Sequence, residues 1–269
     1  MDFSPSAEQT ELVERARAFT KEFIGPNSME YDRSGEFPRD ICREAFKQGF
    51  MNPHVPAEYG GSPHTVLDHC MVLEEMATGC SGIATAIDAN GLSQYPVILA
   101  GTDDQKRRFL APMTEELMFS AYAVTEPEAG SDVSRVKTTA TKVGNDYVLN
   151  GIKWWITNGS VASWYFVLAR VDDKPTGFIV PADSPGIIRG PKEINLGQHA
   201  SNTVRVSFED VKVAERDRLG DEGDGFSIAM KTFDHTRPGV AAGANGIAKA
   251  ALNIALSYAK RRRTFDKKL

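Results

Sequence analysis

The chain has 269 residues, of which 41% are hydrophobic and 25% charged, and its formal net charge is −5. This is the composition of a globular protein long enough for about two domains, and its mildly acidic balance gives no reason to expect nucleic acid as a partner. No run approaches the roughly 20 apolar residues of a membrane span. The N-terminus resembles neither a signal peptide nor a transit peptide, so we expect no targeting segment.

Residues 1–118 are predicted to form a helical domain. Apolar residues from Leu12 to Phe23 recur on one helical face, between a start at residues 4–6 and a stop at Gly25-Pro26. Further helices are predicted from Pro38 to Gly49, over 65–78, over 81–100 with breaks near Gly91 and Pro96, and after a capping box that begins at Thr102.

The cysteines of this region favour a reducing compartment. Cys42, Cys70 and Cys80 form no C-x-x-C pair, and only Cys70 has a histidine beside it, His69. An odd number of cysteines without metal-ligand spacing is typical of reduced structural thiols in a cytosol-like compartment. The sequence therefore predicts no metal site.

Residues 119–222 are predicted to form a β domain. No helical pattern separates the strand-like runs, so we expect an antiparallel barrel or sandwich rather than a parallel sheet. Gly144-Asn145-Asp146 separates two of the runs in the manner of a hairpin. The predicted strands are 120–124, 136–143, 147–156, 164–171, 177–181 and 203–211.

Residues 223–269 return to a helical pattern, which makes the fold class α+β. Ile247, Ala251, Ile254 and Tyr258 mark one face of a long helix that ends in a basic segment, and such an apolar stripe predicts partner helices. Gly239, Gly243 and Gly246 superficially resemble a nicotinamide fingerprint. Because no strand precedes them, close helix packing explains them better.

Two stretches of the β domain have the composition of a ligand site. Trp154 and Trp155 are adjacent in a predicted strand, where successive side chains point to opposite faces. One ring can then join the core while the other faces solvent, a neighbouring domain or a flat ligand. Residues 122–132 turn at Pro127 and Gly130 and offer hydroxyls and N–H groups to a polar ligand. A self-capped turn explains the second stretch equally well.

Motifs in order along the chain resemble the acyl-CoA dehydrogenase family. They are V-T-E-P-E-A-G-S-D (124–132), K-W-W-I-T-N-G (153–159), D-H-T-R-P (234–238) and R-R-T-F (262–265). Residues 30–32, 51–56 and 74–80 are most similar to the medium-chain type. The resemblance implies a helical domain, a flavin-binding β domain and the start of a C-terminal helical bundle, most of which is expected to be missing.

The resemblance implies FAD as the cofactor and an acyl-CoA thioester as the substrate. Trp155 would pack beside the flavin ring, and Thr157 would form a hydrogen bond with the reactive edge of the flavin. Trp154 would be a core residue. The other implied flavin-binding residues are Tyr122, Val124, Thr125, Ser131, and Arg262 and Thr264 toward a neighbouring subunit. The implied substrate-binding residues are Gln94, Ser131, Phe233, Asp234 and Arg237, although Arg237 fits a structural ion pair as well, and Arg262 and Thr264 fit a solvated helix end.

The implied reaction is α,β-dehydrogenation of short- or medium-chain acyl-CoA to trans-2-enoyl-CoA. Its base in most of the family is a Glu expected beyond Leu269, and Thr236 occupies the position that carries a Glu in other members. The family implies an electron-transfer flavoprotein as acceptor, a homotetramer or dimer, and a bacterial cytoplasmic or mitochondrial matrix location without membrane association. The competing hypothesis is a truncated, non-catalytic flavin-binding or interaction module.

Overall fold

A computed structural model describes residues 4–62 and 64–269. Within these residues a helical region precedes a β region, and a long helix follows. The α-helices are α1 Ala7–Phe19, α2 Ser28–Ser34, α3 Arg39–Lys47, α4 Val66–Ala77, α5 Ser81–Asp88, α6 Asn90–Ala100, α7 Asp103–Phe109, α8 Pro112–Glu115 and α9 Gly225–Arg261. The strands are β1 Ser120–Ala123, β2 Thr139–Val143, β3 Asp146–Thr157, β4 Trp164–Val171, β5 Lys174–Pro181, β6 Ile187–Lys192, β7 Thr203–Val213, β8 Arg218–Leu219, β9 Arg263–Thr264 and β10 Lys267–Lys268.

The capping chemistry of the helical region matches the prediction at α7. The Thr102 hydroxyl accepts a hydrogen bond from the Gln105 N–H, and the Gln105 side chain accepts one from the Thr102 N–H. The break between α5 and α6 lies at Ala89 rather than at the predicted Gly91 or Pro96, and Pro96 is buried inside α6. Tertiary burial of α6 outweighs the local preference of proline to end a helix.

The sheet is mixed, which corrects the expectation that it would be wholly antiparallel. Its strand order is β6-β7-β3-β2-β4-β5-β8. Strand β1 pairs with β4 in parallel, and β2 also pairs with β4 in parallel, at one position. A parallel pair needs a long crossover, and the loop and hairpin between β1 and β4 supply one. Strands β6 and β8 were not predicted because β6 contains Gly190-Pro191 and β8 has two residues.

Strand β4 is buried on both faces of the sheet. Tyr165, Val167 and Ala169 belong to a core between strands, whereas Trp164, Phe166 and Leu168 belong to a second core shared with the helices. A third core lies among the N-terminal helices around Phe19 and Ile83. The sheet and the helices therefore share a core along β4.

Helix α9 packs against α4 along its glycines. A Cβ at Gly246 would lie 2.2 Å from the backbone oxygen of Glu74, and one at Gly239 would lie 3.1 Å from His69 Nε2. This confirms close helix packing for Gly239 and Gly246, whereas a Cβ at Gly243 would reach only Leu73 Cγ, at 4.0 Å. Beyond Ala250 most of α9 is exposed, including Ile254 and Tyr258. Among the described helices, none combines the length and the hydropathy needed to cross a membrane.

Candidate functional site

A pocket of about 410 Å³ lies between the sheet and the helices. From the sheet side it is lined by Tyr122, Thr125, Trp155 and Thr157. From the helical side α4, α5 and α9 contribute mostly apolar residues, among them Leu73, Ala84, Phe233, Val240 and Ile247. The two ligand-like stretches of the sequence therefore meet at one cavity, whose apolar walls and few polar groups are typical of a small-molecule site.

A β-bulge presents Trp155 to this pocket. The β3–β7 register shifts between Lys153, opposite Val206, and Ile156, opposite Val204, so two residues of β3 face one of β7. Trp155 has a φ of 60° and its side chain is 56% exposed. Left-handed backbone at a bulky residue carries strain that is found mainly at functional sites.

The bulge also corrects the prediction that Trp154 is a core residue. Trp154 is half-buried and belongs to none of the sheet's cores. Its ring lies 5.6 Å from the guanidinium of Arg205, and its buried Nε1 has no hydrogen-bond partner among residues 4–62 and 64–269. The side chains of Lys153 and Ile156 both point inward, and two residues rather than one separate them. The bulge therefore interrupts the alternation of faces at the two tryptophans.

The residue that does point inward is Lys153, which the sequence analysis missed. Its fully buried ammonium donates to the Glu126 carboxylate at 2.7 Å and to the backbone oxygens of Val124 at 3.1 Å and Leu168 at 2.6 Å. Burial lowers the pKa of Lys153, and Glu126 opposes that shift. Burial alone would raise the pKa of Glu126, but Lys153 and the other donors hold it below its usual value.

This ion pair joins the two ligand-like stretches. Glu126 also accepts hydrogen bonds from the N–H groups of Lys137 and Thr138, and the Trp154 N–H donates to the Thr125 oxygen at 2.9 Å. Residues 124–126 are thereby fixed against β3, next to Trp155. The sequence signal that could have revealed this pair, and was not used, is the single charge of Lys153 within the apolar run 152–156.

Several predicted flavin-binding side chains have free polar groups at the pocket. The hydroxyls of Thr125 and Thr157 make no hydrogen bond within the described part of the chain. The Tyr122 hydroxyl donates to the Ala229 oxygen at 3.3 Å, and burial raises its pKa. Val124 is buried, and Ser131 is exposed on the following loop, outside the pocket lining.

The predicted substrate-binding residues fall into separate places. Phe233 lines the pocket, and the Arg237 guanidinium lies 4.9 Å from its ring centre. Asp234 and Arg237 are both exposed, and the Arg237 guanidinium lies 3.9 Å from Asp234 Oδ1, as in a structural ion pair. Gln94 is fully buried, donates to Asn52 at 2.8 Å and does not line the pocket. Arg262 and Thr264 are exposed near the end of α9, also outside the pocket lining.

A histidine cluster on the helical side was not predicted. The ligand atoms of His54, His69 and Asp88 lie within 4.8 Å of one another, so these residue types could hold a metal ion, although the sequence predicted none. His69 Nε2 lies 2.9 Å from Asp88 Oδ1, and the Tyr95 hydroxyl lies 3.0 Å from His54 Nδ1. These residues come from separate segments, so no local spacing could reveal them.

Opposing effects set the protonation of this cluster. Burial lowers the pKa of His54 to about 3, and neighbouring His69 adds to that shift. Burial would also lower the pKa of His69, but the attraction and hydrogen bond of Asp88 outweigh it and raise the value. Burial would raise the pKa of Asp88, yet His69 holds it below its usual range. Asp88 therefore favours the protonated form of His69, whereas burial favours the neutral form of His54.

The residues at the sheet side fit a flat heteroaromatic group. An exposed indole on a strained bulge provides a wall, and the hydroxyls of Thr125 and Thr157 lack protein partners in the described ranges. A ring system with a polar edge would cover the indole and engage both hydroxyls. Fold and pocket together define a helical-and-β protein whose pocket fits such a cofactor on the sheet side and an apolar group on the helical side.

The chain belongs to the acyl-CoA dehydrogenase family. It matches the family descriptions "Acyl-CoA dehydrogenase, N-terminal domain" over residues 6–116, "middle domain" over 121–211 and "C-terminal domain" over 223–269. It is 44% identical over 273 residues to the probable medium-chain specific acyl-CoA dehydrogenase 2, mitochondrial, of Caenorhabditis briggsae. That match covers 98% of this chain and 67% of the relative. The predicted family and fold class are thereby confirmed.

Solved structures agree with this assignment. Butyryl-CoA dehydrogenase from Megasphaera elsdenii superposes with a TM-score of 0.96 at 38% identity, over 100% of this chain and 73% of that one. A glutaryl-CoA dehydrogenase from Mycobacterium smegmatis in complex with FADH2 gives a TM-score of 0.93 at 27% identity, over 98% and 68% of the two chains. FAD is the cofactor of the family.

Proposed function

We propose that this protein supports FAD-dependent α,β-dehydrogenation of short- or medium-chain acyl-CoA to trans-2-enoyl-CoA. The observation that carries the proposal is the single pocket at which Thr125, Trp155 and Thr157 face an apolar helical wall. When bound, FAD would supply the redox chemistry, and Thr125, Trp155 and Thr157 would hold it. Similarity to named acyl-CoA dehydrogenases favours this enzyme over a non-catalytic flavin-binding module.

The chain's own residues would position both ligands. Trp155 provides a stacking wall, Thr125 and Thr157 donate or accept hydrogen bonds at the cofactor edge, and Tyr122 narrows the pocket beside Phe233. The apolar helical side encloses the acyl chain and excludes water, which strengthens electrostatic interactions at the reacting carbons. We also propose that the Val124 main chain and Ser131 on the following loop contact the cofactor. Asp234 and Arg237 would contact the CoA portion of the substrate at the rim of the pocket.

We assign no α-proton acceptor among residues 4–62 and 64–269. The Thr236 hydroxyl donates to the Thr232 oxygen at 3.0 Å within α9 and is far too weak a base. Asp88 lines the pocket, but its ion pair with His69 lowers its basicity. We therefore propose that the base is a carboxylate outside these residues, consistent with a chain that spans 67% of its Caenorhabditis relative.

The remaining features of the proposal follow the family. We propose the domain division 1–118, 119–222 and 223–269, an electron-transfer flavoprotein as acceptor, and a homotetramer or dimer in which Arg262 and Thr264 contact a neighbouring subunit's cofactor. The location would be the bacterial cytoplasm or the mitochondrial matrix.

Anaerobic mixing with acyl-CoA tests the proposed function. The chain is loaded with FAD, mixed with butyryl-CoA or octanoyl-CoA, and followed by flavin absorbance. We expect the thioester to perturb the spectrum without bleaching it, and a form extended through a full family C-terminal domain to bleach. Failure of FAD or of every acyl-CoA to bind would refute the assignment of the pocket. Rapid bleaching by residues 1–269 would show that the base lies among them.

A further inference from the structure

The helical wall of the pocket contains one carboxylate with an unused acceptor. Asp88 is the last residue of α5, lines the pocket, and its side chain is 25% exposed. Its Oδ1 contacts His69 Nε2 at 2.9 Å, and no other donor reaches the carboxylate from residues 4–62 and 64–269. The second oxygen, Oδ2, thus has no hydrogen-bond donor within the described structure.

The apolar surroundings of Asp88 make it unfavourable for a ligand to displace water from this oxygen without replacing the hydrogen bond. Leu73, Ala84, Leu92 and Val240 line the same cavity, so a saturated chain packed here would take water from the carboxylate and return no hydrogen bond. Desolvating a polar group without a new partner is unfavourable. A ligand that carries a donor at this point would remove that cost.

The layer behind Asp88 decides what kind of donor fits. His69 Nε2 lies 2.9 Å from Asp88 Oδ1, and the rings of His54, Tyr95 and His235 continue from His69 in a row of ring contacts. Because His69 Nε2 already lies against Oδ1, an ammonium group would crowd a second nitrogen donor of the cationic kind beside it, so a hydroxyl is the donor that suits Oδ2. A ligand carboxylate has no hydrogen to donate to Oδ2 and does not fit.

We propose that Asp88, held by His69, forms a subsite for acyl chains that carry a hydroxyl group at the end distant from the thioester. The proposal rests on the proposed function and names the substrate class of the same pocket. Asp88 would accept the hydrogen bond through Oδ2, and His69 would act as the residue that positions the carboxylate. A site built to bond a hydroxyl discriminates strongly against an analogue that lacks it.

Calorimetric titration of the FAD-loaded chain tests this subsite. The ligands are ω-hydroxyacyl-CoA thioesters over a series of chain lengths, alkanoyl-CoA thioesters with the same number of heavy atoms, and ω-carboxyacyl-CoA thioesters. We expect the hydroxyl compound to bind about tenfold more tightly than its alkanoyl match at the best length, and the carboxyl compound to bind most weakly. Equal or tighter alkanoyl binding at every length overturns the proposal.

Variants localise the effect. Asp88→Leu should abolish or reverse the preference for the hydroxyl, and Asp88→Asn, which retains an acceptor and the side-chain volume, should keep part of it. Asp173→Leu, at an exposed turn between β4 and β5, should leave the preference unchanged. Retention of the full preference by both Asp88 variants refutes the subsite. Loss of binding to every thioester by the wild type would instead refute the proposed function.

Discussion

Replacement of Lys153 by methionine tests whether the buried ion pair maintains the site. Methionine keeps a long apolar side chain but leaves the Glu126 carboxylate, whose side chain is only 5% exposed, without its counter-ion. It also removes the ammonium donor from the backbone oxygens of Val124 and Leu168. Removal of one partner from a buried pair costs about 3–5 kcal/mol, a large share of the roughly 5–15 kcal/mol that stabilises a domain.

The chain provides a matched control for this change. Lys47 pairs with Glu44 at 2.7 Å, the same distance as Lys153 with Glu126, but its side chain is 58% exposed. Lys47→Met should therefore cost less than about 1 kcal/mol. Urea unfolding at neutral pH, followed by far-ultraviolet circular dichroism, measures both variants.

A double variant separates the cause. Lys153→Met combined with Glu126→Gln removes the uncompensated charge, so it should be more stable than Lys153→Met alone by at least about 1 kcal/mol. Because the pair fixes residues 124–126 beside Trp155, FAD affinity should fall in the single variant. The reasoning is wrong if Lys153→Met and Lys47→Met lose similar stability, or if the double variant is the least stable of all.

Three further predictions follow from the geometry. Trp155→Ala should weaken FAD binding several-fold to about tenfold, whereas Trp154→Ala should mainly lower the melting temperature, because the half-buried Trp154 ring packs on Arg205 and does not line the pocket. FAD titration and thermal melts that show the reverse would mean that the two tryptophans have the opposite roles. His54 has a pKa of about 3 when folded against an ordinary 6.5, so its own contribution to stability should fall by about 1.4 kcal/mol per pH unit as the pH drops from 6.5 toward 3, whereas His69, whose pKa is raised, contributes with the opposite sign. His54→Gln should reduce this acid sensitivity in urea unfolding at pH values between the two pKa values, and an unchanged slope would contradict the assignment. Gly246→Ala should cost about 1–3 kcal/mol, because its Cβ would lie 2.2 Å from a backbone oxygen of α4, while Gly197→Ala, which meets no atom within 4 Å, should be nearly neutral in the same unfolding assay.

Local chemistry in the sequence was sufficient for the elements and the family. The capping box at Thr102 and the apolar run of β4 each depend on residues close together in the chain, so their boundaries could be predicted. The motifs at 124–132 and 153–159 are also local, and they led to the family that the comparisons confirm. The glycines of α9 could be assigned to helix packing because no strand precedes them.

The tertiary structure alone decided which side chains meet. The bulge in β3 arises from pairing with β7, so a strict alternation placed Trp154 in a core that it does not enter. Lys153 is buried because Glu126, on a different segment, compensates its charge. Asp88 and His69 lie on α5 and α4, and only helix packing brings them within 2.9 Å. Local propensities fix backbone conformation over a few residues, whereas these contacts require segments distant in the chain to pack together.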